Sequence, residues 1–181
     1  MAEKPFIIAG GGIGGLAAAL GLAKAGKHSL VLEQAERLGE IGAGIQIAPN
    51  AFNCFDFLGI GGALQENAVY IDRLRLMDAL SGEEICHIPL DEDFRERFGN
   101  PYAVVHRVDL HLALLEACRS SGKVEMRFRH AICGYGQDEN TVFVQAENRD
   151  EIEGTALIGT DGLRSGVRRQ MLDDDPPRVS G

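Results

Sequence analysis

Apolar and polar positions alternate along the chain with two periods, and these mark where helices and strands should lie. Phe6, Ile7, Ile8 and Ala9 form an unbroken apolar run, the pattern of a strand buried on both faces. Ile13, Leu16, Ala17, Leu20 and Ala23 recur at helical spacing, and Gly26 stands where a helix would close. Leu30, Val31 and Leu32 make a second buried strand that ends in Glu33. In residues 34–50 the glycines Gly39, Gly42 and Gly44 crowd together, which predicts a loop with close backbone approaches. Pro49 then opens a helix over 49–58, with Ala51, Phe52, Phe55 and Leu58 on its inner face and Gly59 at its end. A second short helix is expected over 63–67.

Further on, residues 70–79 alternate Ile71, Leu74 and Leu76 against Asp72, Arg73 and Arg75, which predicts a half-buried strand. Ser81 and Gly82 supply a turn, and 83–89 the antiparallel partner. The charged stretch 91–99 reads as a loop or helical turn, and 102–106 as a short strand. Asp109 is placed to cap a helix whose face is Leu110, Ala113, Leu114, Ala117 and Cys118 and which Gly122 ends. Three strands, 124–129, 131–135 and 141–146, follow as a meander without helices. Ala156, Leu157, Ile158 and Gly159 form another buried strand, and 163–172 a helix. Residues 179–181 resemble the start of a further strand.

Gly10, Gly12 and Gly15 sit between the first strand and the first helix as G-x-G-x-x-G. The first glycine allows a tight turn, the second lets the backbone approach a pyrophosphate, and the third lets helix and strand pack closely. With Glu33 at the end of the next strand, the unit predicts dinucleotide binding, the carboxylate holding the ribose hydroxyls. That carboxylate would repel a 2′-phosphate, which argues against NADP and leaves NAD and FAD open.

Composition narrows the classes. The 181 residues are 45% hydrophobic and 25% charged, within the range of a globular domain or a domain and part of another. A net charge of −9 argues against nonspecific binding to nucleic acid or anionic membrane. The first strand follows the N-terminus directly, so neither a signal peptide nor a membrane span is expected. Cys54, Cys86, Cys118 and Cys133 lie far apart in sequence and read as reduced cytoplasmic thiols, with no disulfide frame and no metal site.

Three motifs together resemble the flavin-dependent aromatic hydroxylases. The first is the extended spacing Gly10, Gly12, Gly15, Ala19, Leu22, Gly26, Glu33. The second is His106-Arg107 at the head of a helix. The third is Asp161 to Arg168, which fits D-G-x-x-S-x-V-R. A nicotinamide dehydrogenase would share only the first. Residues 39–51 and 88–111 look most like members that hydroxylate 3-hydroxybenzoate or salicylate. The resemblance implies an α/β fold: a Rossmann-like FAD-binding domain of parallel sheet, helices and β-meander, with the start of a mixed-sheet substrate domain. The implied division gives 1–68 and 107–175 to FAD and 69–106 with 176–181 to the substrate sheet.

By the same resemblance, Gly10, Gly12, Ile13, Gly14 and Gly15 would cradle the FAD pyrophosphate, with Glu33 and Gln34 at the adenosine ribose. Gly44, Ile45 and Gln46 would approach the flavin, Arg107 would reach the cofactor, and Asp161 would lie near the pyrophosphate with Arg168 bracing its loop. Two negative groups cannot meet unaided, so Asp161 is expected to act through a water, a backbone amide or the arginine. The implied activity is a monooxygenase of aromatic catabolism. NADH reduces FAD, and the reduced flavin with O2 hydroxylates a small phenolic acid, 3-hydroxybenzoate to gentisate as first choice. A salicylate or hydroxynicotinate hydroxylase, and a truncated FAD-binding module without turnover, stand as alternatives. No catalytic base is named: His28, His87, His106, His111 and His130 lack partner spacings that suggest one. Family members continue past this C-terminus. The chain is therefore expected to be an N-terminal portion that binds FAD weakly, does not turn over alone, and exposes strand faces a second copy could cover.

Overall fold

The computed structural model describes residues 3–37, 42–173 and 175. The chain runs β1 (Phe6–Ala9), α1 (Ile13–Lys24), β2 (Ser29–Glu33), β3 (Gly44–Ile47), α2 (Pro49–Leu58) and α3 (Gly61–Gln65). Next come β4 (Val69–Tyr70), β5 (Arg73–Met77), β6 (Glu84–Pro89), α4 (Glu92–Phe98), β7 (Ala103–His106) and α5 (Arg107–Ser120). It closes with β8 (Val124–Phe128), β9 (Ile132–Gln137), β10 (Val142–Ala146), β11 (Glu151–Gly154), β12 (Ala156–Gly159) and α6 (Gly166–Leu172). Two compact units result, one of residues 1–39 with 114–181 and the other of 40–113. The functional division expected from the sequence, at 68/69 and 106/107, differs from this compact partition, whose boundaries fall at 39/40 and 113/114.

The first unit is built on a parallel sheet of order β12-β1-β2-β8. The central strands β1 and β2 are apolar on both faces because both are covered. On one side Leu16, Ala19 and Leu20 of α1 are buried. On the other, Ile7, Leu30 and Leu32 join Val142, Val144 and Ile152 of an antiparallel sheet, β11-β10-β9, in one core. Burying each such aliphatic side chain contributes about 1.5–3 kcal/mol. Gln170 of α6 clasps β9: its Oε1 accepts from Tyr135 N at 3.1 Å and its Nε2 donates to Tyr135 O at 2.5 Å.

Strand pairing corrects the meander predicted over 124–146. Residues Val124–Phe128 leave the antiparallel set and pair in parallel with β2, from Ser29↔Val124 to Glu33↔Phe128. The place of β8 in the antiparallel set goes to β11, a strand with little apolar signature in sequence, since Glu151–Gly154 carries one large apolar side chain, Ile152. A short strand's alternation does not specify its partner; only the tertiary fold brings 29–33 beside 124–128.

In the second unit β3 and β4 flank β7 in an antiparallel sheet. Gly44–Ile47 therefore form a strand where a loop was predicted: pairing with Ala103–His106 outweighs the local glycine signal. Gly42 lies beneath the His106 imidazole, a close approach of the kind the glycines suggested. β5 and β6 form the expected hairpin, but Leu76, Ile85 and Ile88 are exposed, since a two-stranded ribbon covers neither of its own faces. Asp91 caps α4 by accepting from Phe94 N. α5 already begins at Arg107, which puts Asp109 in its first turn, two residues past the helix start and not at the N-cap position. The predicted terminal strand at 179–181 lies outside the described residues.

Candidate functional site

The glycine turn is shaped by two steric demands. Gly10 has φ +102°, and a Cβ there would meet Thr160 O at 2.6 Å. Gly15 lies in the first turn of α1, where a Cβ would strike the Gly10 carbonyl oxygen and stand 2.8 Å from Thr160 Oγ. The third glycine thus lets the helix sit against the turn, as its spacing predicts. Thr160 Oγ donates between Ala9 O at 2.7 Å and Gly10 O at 3.1 Å, tying the end of β12 to the end of β1.

Around this turn the first unit opens a cavity of about 480 Å³. Among the sequence-predicted residues, Gly10, Gly12, Glu33, Gln34 and Asp161 line it. A Cβ on Gly12 would meet nothing within 4 Å, so the backbone there is open to a ligand. No side chain caps the N-terminus of α1 and no acid stands in its first turn, which includes Ile13 and the exposed Gly14. Its amides and dipole suit an anionic group. Glu33 stands opposite. Its Oε2 accepts from Gly11 N at 2.7 Å and its Oε1 from Ala35 N at 2.8 Å. Each oxygen retains a lone pair for a further donor, as a ribose diol would offer. The site therefore fits a dinucleotide with an unphosphorylated adenosine ribose.

Asp161 is oriented by the start of α6. Its Oδ1 accepts from Ser165 Oγ at 2.5 Å, and its Oδ2 from Gly166 N at 2.7 Å and Val167 N at 3.1 Å. Ser165 in turn accepts from Arg168 N at 2.9 Å and caps the helix. The spacing D-G-x-x-S-x-V-R is thus the spacing of a double cap, and Gly162, φ +83°, makes the turn. The arginines lining the cavity here are Arg164 and Arg169.

Gly44, Ile45, Gln46 and Arg107 belong to the second unit and cluster there. Gly44 pairs with His106, Ile45 with Val105 and Gln46 with Val104, while Arg107 N donates to Ala43 O at 3.1 Å. Tyr102 Oη donates to Gln46 Oε1 at 2.7 Å, which orients that amide. Residues not predicted to bind the cofactor also line the first unit's cavity: Thr160, Arg164, Arg169, His130 and Glu147. The first three flank the D-G motif and could have been found from it. His130 and Glu147 sit at hairpin ends far from any motif. Among the described residues no helix is long and apolar enough to cross a membrane, and no three His, Cys, Asp or Glu side chains gather as for a metal ion.

Comparison with known proteins agrees with this geometry. The chain is 50% identical over 176 residues to 3-hydroxybenzoate 6-hydroxylase 1 of Aquipseudomonas alcaligenes, covering 97% of this chain and 45% of that protein. It is 51% identical over 180 residues to 3-hydroxybenzoate 6-hydroxylase of Polaromonas naphthalenivorans, covering 99% and 45%. The chain thus spans less than half the length of these relatives. The crystal structure of Klebsiella pneumoniae HpxO, complexed with FAD and uric acid, superposes with a TM-score of 0.83 at 29% identity, over 97% of this chain and 43% of that one. The FAD binding domain model matches residues 3–173, and with the glycine turn, Glu33 and the Asp161 cap in place the chain belongs to that family.

Proposed function

We propose that this chain is the FAD-binding part of a monooxygenase that hydroxylates a small phenolic acid, 3-hydroxybenzoate to gentisate, with NADH and O2. The balance is one NADH, one proton and one O2 consumed per hydroxyl inserted, with NAD⁺ and water released. The observation that carries the cofactor half is the single cavity joining the open Gly10–Gly12 turn, Glu33 and Asp161. The substrate half rests on identity near 50% to two 3-hydroxybenzoate 6-hydroxylases.

When bound, FAD supplies the redox chemistry; the protein supplies position, electrostatics and exclusion of water. Gly10, Gly12, Ile13, Gly14 and Gly15 bind the pyrophosphate through amides and helix dipole. Glu33 and Gln34 take the adenosine ribose. Asp161 holds the α6 amides in place beside the pyrophosphate, with Arg168 in the same turn. Gly44, Ile45, Gln46 and Arg107 serve the flavin side. Residues 1–68 with 107–175 form the cofactor domain in this reading, and 69–106 begin the substrate sheet. The enzyme works in the cytoplasm.

The 181-residue chain is expected to bind FAD with quenching of flavin fluorescence, and ADP is expected to compete. A chain that binds neither would refute the cofactor reading. With the whole protein, gentisate must appear in step with NADH consumed when 3-hydroxybenzoate is supplied. NADH consumption that yields only peroxide would replace the hydroxylase with a flavin oxidoreductase.

A further inference from the structure

His130 connects β8 to β9 at the wall of the Glu33 cavity, and no motif contains it. Its side chain is only 16% exposed, and both ring nitrogens are engaged. Nδ1 lies 2.7 Å from Phe128 O, and Nε2 lies 3.2 Å from Asp150 Oδ2. Asn148 Nδ2 stands 3.4 Å from the same Nε2 and donates to Asp150 Oδ2 at 2.9 Å. The ring thus bridges the end of β8 to the turn between β10 and β11.

The main chain continues the bridge to β2. His130 N donates to Glu33 O at 2.9 Å, and Arg129 N donates to Ala35 O at 3.1 Å. Ala131 O accepts from Glu147 N at 2.8 Å on the other side. Residues 129–131 are therefore stitched between the 33–35 segment and the 147–150 turn, with Arg129 held at φ 59° and paired to Glu36. The 33–35 segment is the one whose carboxylate spans Gly11 N and Ala35 N. With the imidazole removed, the Glu147–Ala131 amide bond remains between 129–131 and the turn, and a void opens in the cavity wall.

We propose that His130 is a positioning residue for nucleotide recognition: by clamping 129–131 to the Asp150 turn it holds Glu33 in register with a ribose diol. This rests on the reading of the cavity as the adenosine end of the FAD site. The ring itself need not touch the ribose; its effect passes through the backbone of Glu33.

The test compares binding of ADP and 2′-deoxy-ADP to the 181-residue chain and its variants. A carboxylate that accepts from a ribose hydroxyl should give the parent protein a preference for ADP of roughly 10-fold or more, the range of a hydrogen bond to a charged group. In H130A that preference should collapse to about 2-fold, since a misplaced carboxylate forfeits most of that bond. H130Q, whose amide can donate from the place of Nε2 to Asp150, should restore most of it. D150A, at the exposed turn, breaks the same clamp without touching the cavity, and should also reduce the preference; it serves where H130A fails to fold. Variants that bind both nucleotides more weakly but keep the parental ratio would overturn the proposal, because general loosening of the fold lowers both affinities alike. A parent protein that binds ADP with no preference over 2′-deoxy-ADP would instead overturn the Glu33 reading beneath it.

Discussion

Replacing Gly15 with alanine and, separately, its neighbour Gly14 with alanine applies the same chemical change to adjacent residues of one helix. In both, alanine is the better helix former by about 1 kcal/mol. At Gly14 nothing lies within 4 Å of the new Cβ, so that gain should appear undiminished. At Gly15 the Cβ would strike the Gly10 carbonyl oxygen, with Gly10 C at 3.1 Å and Thr160 Oγ at 2.8 Å. The oxygen is backbone, held in a turn whose own residue has φ +102°, so it cannot rotate away as a flexible side chain would. Overpacking of this kind costs about 1–3 kcal/mol, and displacing Gly10 O also weakens its bond from Thr160. The net for Gly15→Ala is a loss of about 2 kcal/mol, against a gain of about 1 for Gly14→Ala. For a chain of this size each kcal/mol moves Tm by about 2–4 °C, so the two variants should differ by about 6–12 °C with opposite signs. Thermal and urea unfolding of the nucleotide-free proteins reads this directly. Equal stability of the two variants would refute the steric account of the third glycine.

Three further outcomes are expected. Glu33→Gln places an amide NH2 against one of the two N–H groups the carboxylate accepts, so ADP affinity measured by calorimetry should fall by about 10-fold or more. Asp161→Asn removes the carboxylate that accepts from the Gly166 and Val167 amides, which should cost about 1 kcal/mol and speed hydrogen exchange at those two amides while leaving the β1 amides protected. Burial pushes the Cys118 thiol up to about 11, so at pH 8 it should stay a thiol and resist alkylation while exposed Cys54, Cys86 and Cys133 react, as peptide mass mapping would show. The same shift fixes the sign of a stability effect: the thiol's contribution is complete below pH 9 and is lost as pH rises through about 11.

Local pattern carried far in this protein. The run Phe6–Ala9, the glycine spacing and the acid at position 33 made the βαβ unit and its ligand class legible, because steric limits on a turn and burial on both faces of a strand act within a few residues. The helix over 49–58 was equally plain from Pro49 and Gly59, the latter at φ 81°. Glu33 faces Gly11 because parallel pairing of β1 with β2 brings Ala9 beside Leu32, which sets the acid that follows the second apolar run next to the glycine turn that follows the first.

Partners distant in the chain were another matter. The sequence contained β8 as a strand but not its neighbour, and β3 as a glycine-rich segment but not as a strand, since each depends on which backbone lies across from it. Asp161 read as a loop acid poised near the cofactor; the fold made it the anchor of α6, because Ser165 and two amides turn toward it once the turn at Gly162 closes. His130 and Glu147 carried no signal at all. They meet at the Glu33 cavity only because two hairpin ends and the end of β2 are hydrogen-bonded edge to edge. Short-range sterics and burial period therefore determined the elements and the class of ligand, while long-range backbone pairing decided which residues surround it.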